Sequence, residues 1–366
     1  MAESFFFVGH LFAHLVRRIA SAGRLSHIHN PRIMAYSKTT LLELPIDDID
    51  NHLTEIGFDT TVSEIIAGLT ANAKYIQSKY FYDKIGSALF EKITSLNEYY
   101  PSRTEKTIIS QLPPELIEDL VDIDIIELGC GDHSKISLLM RRIPAETVPG
   151  LRYFPIDISR TALEQSIEDL RDLFPALKVK GILADYVHQM HLFPEERKRL
   201  FCFFGSTIGN LSREETLDFM QNMGAIMNTG DMLFVGMDRV KNIALLEKAY
   251  NDDQLITAMF NKNILRVING LIKSDFNPDN FEHRAFYNTA FNRIEMHLEA
   301  TDNISVKSAF IPELIRIKKG ETIHTENSHK FEKADILRMG QHAGLAIKNI
   351  YSDENELFSL AHYQKK

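Results

Sequence analysis

The sequence predicts an α/β fold, a parallel sheet covered by helices on both faces with a second, smaller α+β part attached, and three observations carry that prediction. Between 121 and 236 short apolar runs of strand character recur, each stopping at a glycine or an aspartate. The first of them stops at Gly129-Cys130-Gly131, and strand, glycine turn, helix is how a nucleotide-binding α/β unit opens. After about 240 the rhythm changes to one long amphipathic pattern and then to alternating strands, which sets the second part off from the first.

Taken in order, residues 1–45 stand apart as an N-terminal extension. Phe5, Phe6, Phe7, Val8, Leu11, Phe12, Leu15 and Val16 are apolar, but the stretch is too short and too interrupted to span a bilayer. Glu3 precedes it and His10 and His14 lie inside it, which argues against a secretory signal. Between Ser4 and Leu42 there is no acidic residue, whereas Arg17, Arg18, Arg24, Arg32 and Lys38 are present. That bias resembles a mitochondrial transit segment, and a start of translation at Met34 accounts for it equally well.

From about 60 to 120 the pattern is helical, with Ile65, Ile66 and Leu69, then Leu89, Phe90, Ile93 and Leu96 at helix spacing. A loop at Tyr99-Tyr100-Pro101 interrupts it, and Ser102 with Glu105 three residues later reads as a capping box opening the next helix. Val121, Ile123, Ile125, Ile126 and Leu128 make the first buried strand, and a helical stretch follows from Lys135 to Arg142. Tyr153-Phe154-Pro155-Ile156 ends at Asp157 and precedes a helix from Thr161 to Leu173; a third run, with Val179, Ile182 and Leu183, ends at Asp185. The fourth, Leu200 to Phe204, ends at Gly205, and the fifth, Met232 to Val235, ends at Gly236. Leu255 to Leu271 reads as one amphipathic helix in spite of the polar Asn261-Lys262-Asn263, and Arg293–Ala300 and Ser305–Ile317 alternate as antiparallel strands. A helix from Ala334 to Ala343 and strands from Ala346 to Tyr351 and Leu357 to Ala361 then rejoin the sheet.

Composition removes several classes of function. With 41 Lys and Arg against 50 Asp and Glu the net charge is -9, so there is no general field for phosphate backbones or anionic membranes, and neither nucleic acid nor membrane is expected as a partner. No obligate protein partner is evident. Cys130 and Cys202 are too few for a disulfide framework, and neither a CxxC nor an HExxH pattern is present. A metal-free site in a reducing compartment, the cytoplasm, is the expectation.

Ligands of an open parallel sheet sit at the carboxyl ends of its strands, and that is where the acidic positions fall. Gly129 and Gly131 allow a tight turn under a ligand, because a side chain at either would block close approach or strain φ. Asp157 suits a carboxylate that accepts both hydroxyls of a ribose, and Asp185 a contact to an adenine amino group. Each carboxylate alone is also an ordinary helix cap. The turn lacks the third glycine of GxGxxG, which favours a nucleoside ligand without a pyrophosphate over a dinucleotide. Lys135 is either a solvated helix residue or a partner for a carboxylate of that ligand.

Separate strings further along the chain are more specific. Lys79-Tyr80-Phe81-Tyr82-Asp83, Glu98-Tyr99-Tyr100-Pro101-Ser102-Arg103, Phe204-Gly205-Ser206-Thr207-Ile208-Gly209-Asn210, Arg293-Ile294-Glu295-Met296 and His324-Thr325-Glu326-Asn327-Ser328-His329-Lys330-Phe331 resemble the histidine-specific N-α-methyltransferases of ergothioneine biosynthesis. The resemblance runs from about residue 60 to the end. It implies a Rossmann-like class I methyltransferase sheet over 106–239 plus 333–366 that binds S-adenosylmethionine (SAM), through Gly129, Gly131, Lys135, Asp157, Asp185 and Gly205, and a substrate-binding α+β domain over 46–105 plus 240–332. The implied substrate is free L-histidine, methylated successively on its α-amino group to the trimethylated betaine, hercynine.

The same resemblance assigns Asn210 and Tyr250 to the amino acid's carboxylate, Tyr82 to the amine as the catalytic residue, and Tyr99, Met296, Glu326 and Ser328 to the imidazole. The chemistry of these side chains fits: an amide and a phenol donate to oxygen without adding charge, and a carboxylate reads an imidazole N–H. Tyrosine near proline and methionine on a strand are packing residues as often as ligand contacts, so it is the joint placement that counts. Tyr100 is the alternate for Tyr99, since adjacent rings point differently. Two departures stand out: Cys130 takes a turn position where a smaller or hydroxylated residue is usual, and Asn327 and His329 make the Glu326 string more polar, with His329 a competitor for Glu326. The alternatives are an N-methyltransferase for another amino acid, such as a tryptophan derivative, and a non-catalytic SAM-binding regulatory module.

Overall fold

The computed structural model describes residues 48–53 and 57–366. The targeting and start-site readings of the extension over 1–45 lie outside the described residues. β1 (Ile49–Asn51) leads into α1 (Phe58–Thr70), α2 (Lys84–Thr94), α3 (Tyr100–Ser110) and α4 (Pro114–Glu118). The alternating segment follows: β2 (Asp124–Leu128), α5 (Ser134–Met140), β3 (Arg152–Asp157), α6 (Arg160–Leu173), β4 (Lys178–Val179), β5 (Gly181–Leu183), β6 (Arg199–Phe203), α7 (Arg213–Ile226) and β7 (Met232–Asp238). Next come α8 (Ile243–Tyr250), α9 (Ile256–Ile272), β8 (Phe281–Asn288), β9 (Arg293–Ala300), the short pair β10 (Ile304–Val306) and β11 (Ile315–Ile317), and β12 (Thr322–His329). Finally α10 (Lys333–His342), β13 (Leu345–Ser352) and β14 (Phe358–Lys365) return to the sheet.

The main sheet runs β1-β5-β3-β2-β6-β7-β14-β13, with β4 beside β3. Its strands are parallel through β7, while β14 pairs antiparallel with β7 and β13 with β14. Strand order turns back at β2, which has β3 on one side and β6 on the other; that switch point opens a crevice at the carboxyl ends. Neighbouring residues of the central strands serve opposite faces. Ile125, Leu200 and Phe234 pack in one apolar cluster, and Ile126, Phe201 and Leu233 in another, so both faces are buried as a parallel sheet requires.

A third cluster draws its residues from 62–100 and 246–323, among them Ile65, Phe81, Phe260, Ile264, Leu298 and Ile323, and lies around α9 and the antiparallel sheet β12-β9-β8. The polar interruption of α9 is structural: Asn261 donates to the His297 carbonyl at 2.9 Å and accepts from Thr325 at 2.7 Å, and Asn263 donates to Asp83 at 2.8 Å. Three sequence expectations change. Ser102 and Glu105 are not a capping box, because α3 already begins at Tyr100, with Tyr99 at the N-cap and Pro101 in its first turn, and Glu105 is turned inward. The third run is split into β4 and β5 at Lys180, and Ser305–Ile317 is a two-stranded pair, β10 with β11. β8 had no clear signal, because most of its side chains are only partly buried and its pattern does not alternate.

Candidate active site

At the carboxyl ends of β2, β3, β5 and β6 lies a cavity of about 990 Å³. Its floor is the Gly129-Cys130-Gly131 turn, where φ is 68° at Gly129 and 51° at Gly131, the left-handed region that glycine reaches without strain. Asp157 ends β3 and borders the cavity; one carboxylate oxygen accepts from Gly131 N at 3.1 Å and the other from Ser159 N at 2.9 Å. Burial pushes its pKa up against those two donors. Asp185 lines the next stretch of wall, with Oδ1 accepting from Val187 N at 3.0 Å. Beyond it Tyr186, which the sequence did not single out, holds its ring edge-on to Phe203 and over Gly129, where an added Cβ would lie 3.4 Å from the ring.

Lys135 borders the same cavity and is not a solvated helix residue: its Nζ lies 3.3 Å from the wholly buried carboxylate of Glu105. Glu105 also accepts from Gly205 N, at 2.8 and 3.0 Å, and burial raises its pKa against Lys135 and Gly205. This arrangement needs glycines. Gly205 has φ +79°, and a Cβ on Gly236 would stand 2.0 Å from Glu105 Oε1. Gly236→Ala is therefore expected to destabilise the fold by about 1–3 kcal/mol through overpacking and to loosen Lys135 and Gly205 with it. The denaturant midpoint and the affinity for S-adenosylhomocysteine check the two halves of that expectation.

The same cavity is also lined by Tyr82, Tyr99, Asn210 and Glu326. Glu326 follows a bulge in β12 between His324 and itself, which turns its side chain toward the cavity. No described residue donates a hydrogen bond to its carboxylate, and burial pushes its pKa up to about 7, with Lys330 opposing. Burial, then the charge of Glu326, holds the Tyr82 hydroxyl well above its ordinary range, so it stays protonated at neutral pH. Tyr99 does likewise, by burial first and then by Tyr250 and Glu326.

Tyr250, Met296 and Ser328 are not in the cavity wall but in the layer behind it. Tyr250 packs edge-on against Tyr99, with ring centroids 6.1 Å apart, and its hydroxyl is held by Ser328 Oγ at 2.7 Å and by Lys330 Nζ at 3.2 Å. Met296 is buried and pairs with Glu326 across β9 and β12. Tyr100 is no substitute for Tyr99, since its hydroxyl is bound to both oxygens of buried Asp238 at 2.8 and 2.9 Å. His329 does not compete for Glu326: it is buried on the other face of β12, and burial pushes its pKa down to about 4.

Two other features are accounted for by their contacts. Glu295, His297 and His324 lie close enough together to hold a metal ion. Their atoms are engaged already, Glu295 by Arg293, Asn288 and His297, and His324 by the Glu326 carbonyl. A shallower hollow of about 520 Å³ at the amino ends of the strands is rimmed by Arg152, Arg171 and Lys180, each paired with an aspartate. Among the described residues no helix is long and apolar enough to cross a membrane.

Residues 61–365 match the family described as "Histidine-specific methyltransferase, SAM-dependent". The chain is 34% identical over 299 residues to a histidine N-alpha-methyltransferase of Mycolicibacterium smegmatis, covering 81% of this chain and 92% of that one. It is 32% identical to the protein of the same name from Mycobacterium tuberculosis, covering 86% and 98%. It is also 26% identical to Ergothioneine biosynthesis protein 1 of Schizosaccharomyces pombe, covering 70% of this chain but 34% of that longer one.

Proposed function

The chain belongs to the family of histidine-specific, SAM-dependent methyltransferases, and from that premise we propose that it methylates the α-amino group of free L-histidine, in successive rounds, to hercynine. The observation that carries the reading is Glu326: a half-buried carboxylate without a protein donor, facing the same cavity as the glycine turn and Asp157. Such an acceptor suits an imidazole N–H and finds nothing to pair with on an alkyl side chain.

The cavity residues fit the methyl donor. Asp157 offers its carboxylate beside the glycine turn for a ribose diol, Asp185 and Tyr186 flank the place of an adenine, and Lys135 with the Gly205 backbone borders the place of the methionyl group. When bound, the donor supplies an electrophilic methyl on a sulfonium. The N–C bond forms as the C–S bond breaks, S-adenosylhomocysteine leaves, and no covalent enzyme intermediate is needed.

The protein's task is then to orient and dehydrate. Tyr82, protonated, directs its oxygen lone pair at the amine and orients it, and is too weak a base in that state to hold the released proton, which passes to water. Asn210 holds the carboxylate, and Tyr99, backed by Tyr250, holds the ring with Glu326. The rings of Tyr82 and Tyr99 tolerate the quaternary ammonium product through their faces. The division of labour follows the packing, with the sheet for the donor and the lobe around α9 for the amino acid. A free amino acid as substrate requires neither nucleic acid nor a protein partner.

The test is to incubate the protein with SAM and each of the twenty amino acids and weigh the products. Histidine is expected to gain up to three methyl groups. Methylation of tryptophan with histidine untouched would reject the substrate assignment, and donor binding with no product at all would leave a regulatory module.

A further inference from the structure

Behind the cavity wall sits an ammonium that the roles above leave unused. Lys330 directly follows β12 and is 0% exposed. Its Nζ lies 2.9 Å from Asp238, 2.8 Å from Ser328 Oγ and 3.2 Å from the Tyr250 hydroxyl. An ammonium has three hydrogens and no lone pair, so these three contacts use it completely, and both hydroxyl oxygens accept from it. Asp238 is held in turn by Tyr100 and Lys241, which fixes the anchor of the lysine.

The positions of the hydroxyl hydrogens follow. Ser328 Oγ and the Tyr250 oxygen are 2.7 Å apart, with the Tyr250 hydroxyl donating to Ser328. The Ser328 hydrogen is therefore left over, and it cannot return to Lys330. It has to find an acceptor outside the cluster. Ser328 is two residues beyond Glu326 and therefore on the same face of β12, and Tyr250 adjoins Tyr99, which lines the cavity.

We propose that Lys330 is a positioning residue that, together with Tyr250, turns Ser328 into a hydrogen-bond donor toward the substrate ring from the layer behind the wall. Together with Glu326 the site then presents one acceptor and one donor, the complement of a neutral imidazole, which carries one N–H and one bare nitrogen. An indole, which has an N–H and no bare nitrogen, leaves the donor unpaired. The inference rests on the reading of Glu326 and Ser328 as imidazole contacts.

A double-mutant cycle tests it. Lys330→Met, the pair Tyr250→Phe with Ser328→Ala, and the three changes combined are compared by kcat and KM for histidine and by the dissociation constant of S-adenosylhomocysteine. Lys330→Met is expected to raise KM for histidine about tenfold or more with donor-site affinity within about twofold, and to add less than about twofold once both hydroxyls are gone. Additive losses, or equal loss of histidine and donor-site binding, overturn the proposal. Should Lys330→Met fail to fold, Ser328→Ala alone is the test: it is expected to raise KM for histidine about tenfold with donor-site affinity within about twofold, and an unchanged KM overturns the proposal. A wild-type protein that methylates another amino acid and not histidine defeats the substrate reading itself, and this proposal with it, before any variant is made.

Discussion

Glu326→Ala is expected to lower kcat/KM for histidine by about 10²-fold or more while the affinity for S-adenosylhomocysteine stays within about twofold. An imidazole N–H bound in the cavity without its acceptor costs about 1–3 kcal/mol, and more when the lost partner is charged; each 1.4 kcal/mol is about tenfold. The pH dependence has a definite sign. Burial raises the pKa of Glu326 to about 7, so below that pH the free carboxyl keeps its proton and its charge is lost. A ring N–H favours the charged form, so histidine binding strengthens as pH rises through about 7, and Glu326→Gln removes the part of that rise that belongs to this group. For the empty protein the sign is reversed. The folded carboxyl holds its proton at pH values where the unfolded one has lost it, so its contribution to stability falls as pH rises from its ordinary range toward 7. The site is thus kept open at a cost that substrate relieves. Equal loss of histidine and donor-site affinity in Glu326→Ala would remove this role.

Why some of the site was legible in the sequence and some was not comes down to how local each cause is. Asp157 and the glycine turn sit where a strand hands over to a helix, and that handover is encoded by adjacent residues. Glu105 misled for the opposite reason. Ser102 and Glu105 have the spacing of a capping box, but the carboxylate is claimed by Gly205 N, one hundred residues away, and by Lys135. Tyr186 left no signal because its neighbour over the turn, Gly129, is distant in sequence. The Lys330–Asp238 pair joins the end of β7 to the end of β12, and no periodicity reports such a contact. Tyr250, Ser328 and Met296 came with the family strings, which place residues in a neighbourhood without saying which of them forms its wall.

Asp157→Ala should weaken S-adenosylhomocysteine binding by about 10²-fold, because two ribose hydroxyls each lose a charged acceptor and a hydrogen bond to a charged group contributes about 1.5–3 kcal/mol. A competing account makes Asp157 a turn residue, since it already accepts from Gly131 N and Ser159 N. The two accounts differ in where the loss is felt. A residue that only ties the turn together costs about 1 kcal/mol of stability when removed, in the protein without ligand as well as with it. A ribose acceptor costs affinity beyond that, and relief of its buried, raised carboxyl offsets part of the stability loss in the empty protein. Calorimetric titration with S-adenosylhomocysteine, set beside denaturant midpoints without ligand, separates the two. A lowered midpoint with unchanged affinity would leave Asp157 a turn residue. Asp185→Ala is the internal comparison: Asp185 borders the cavity one strand further out, where an adenine amino group offers a single neutral donor, so its loss should be the smaller of the two.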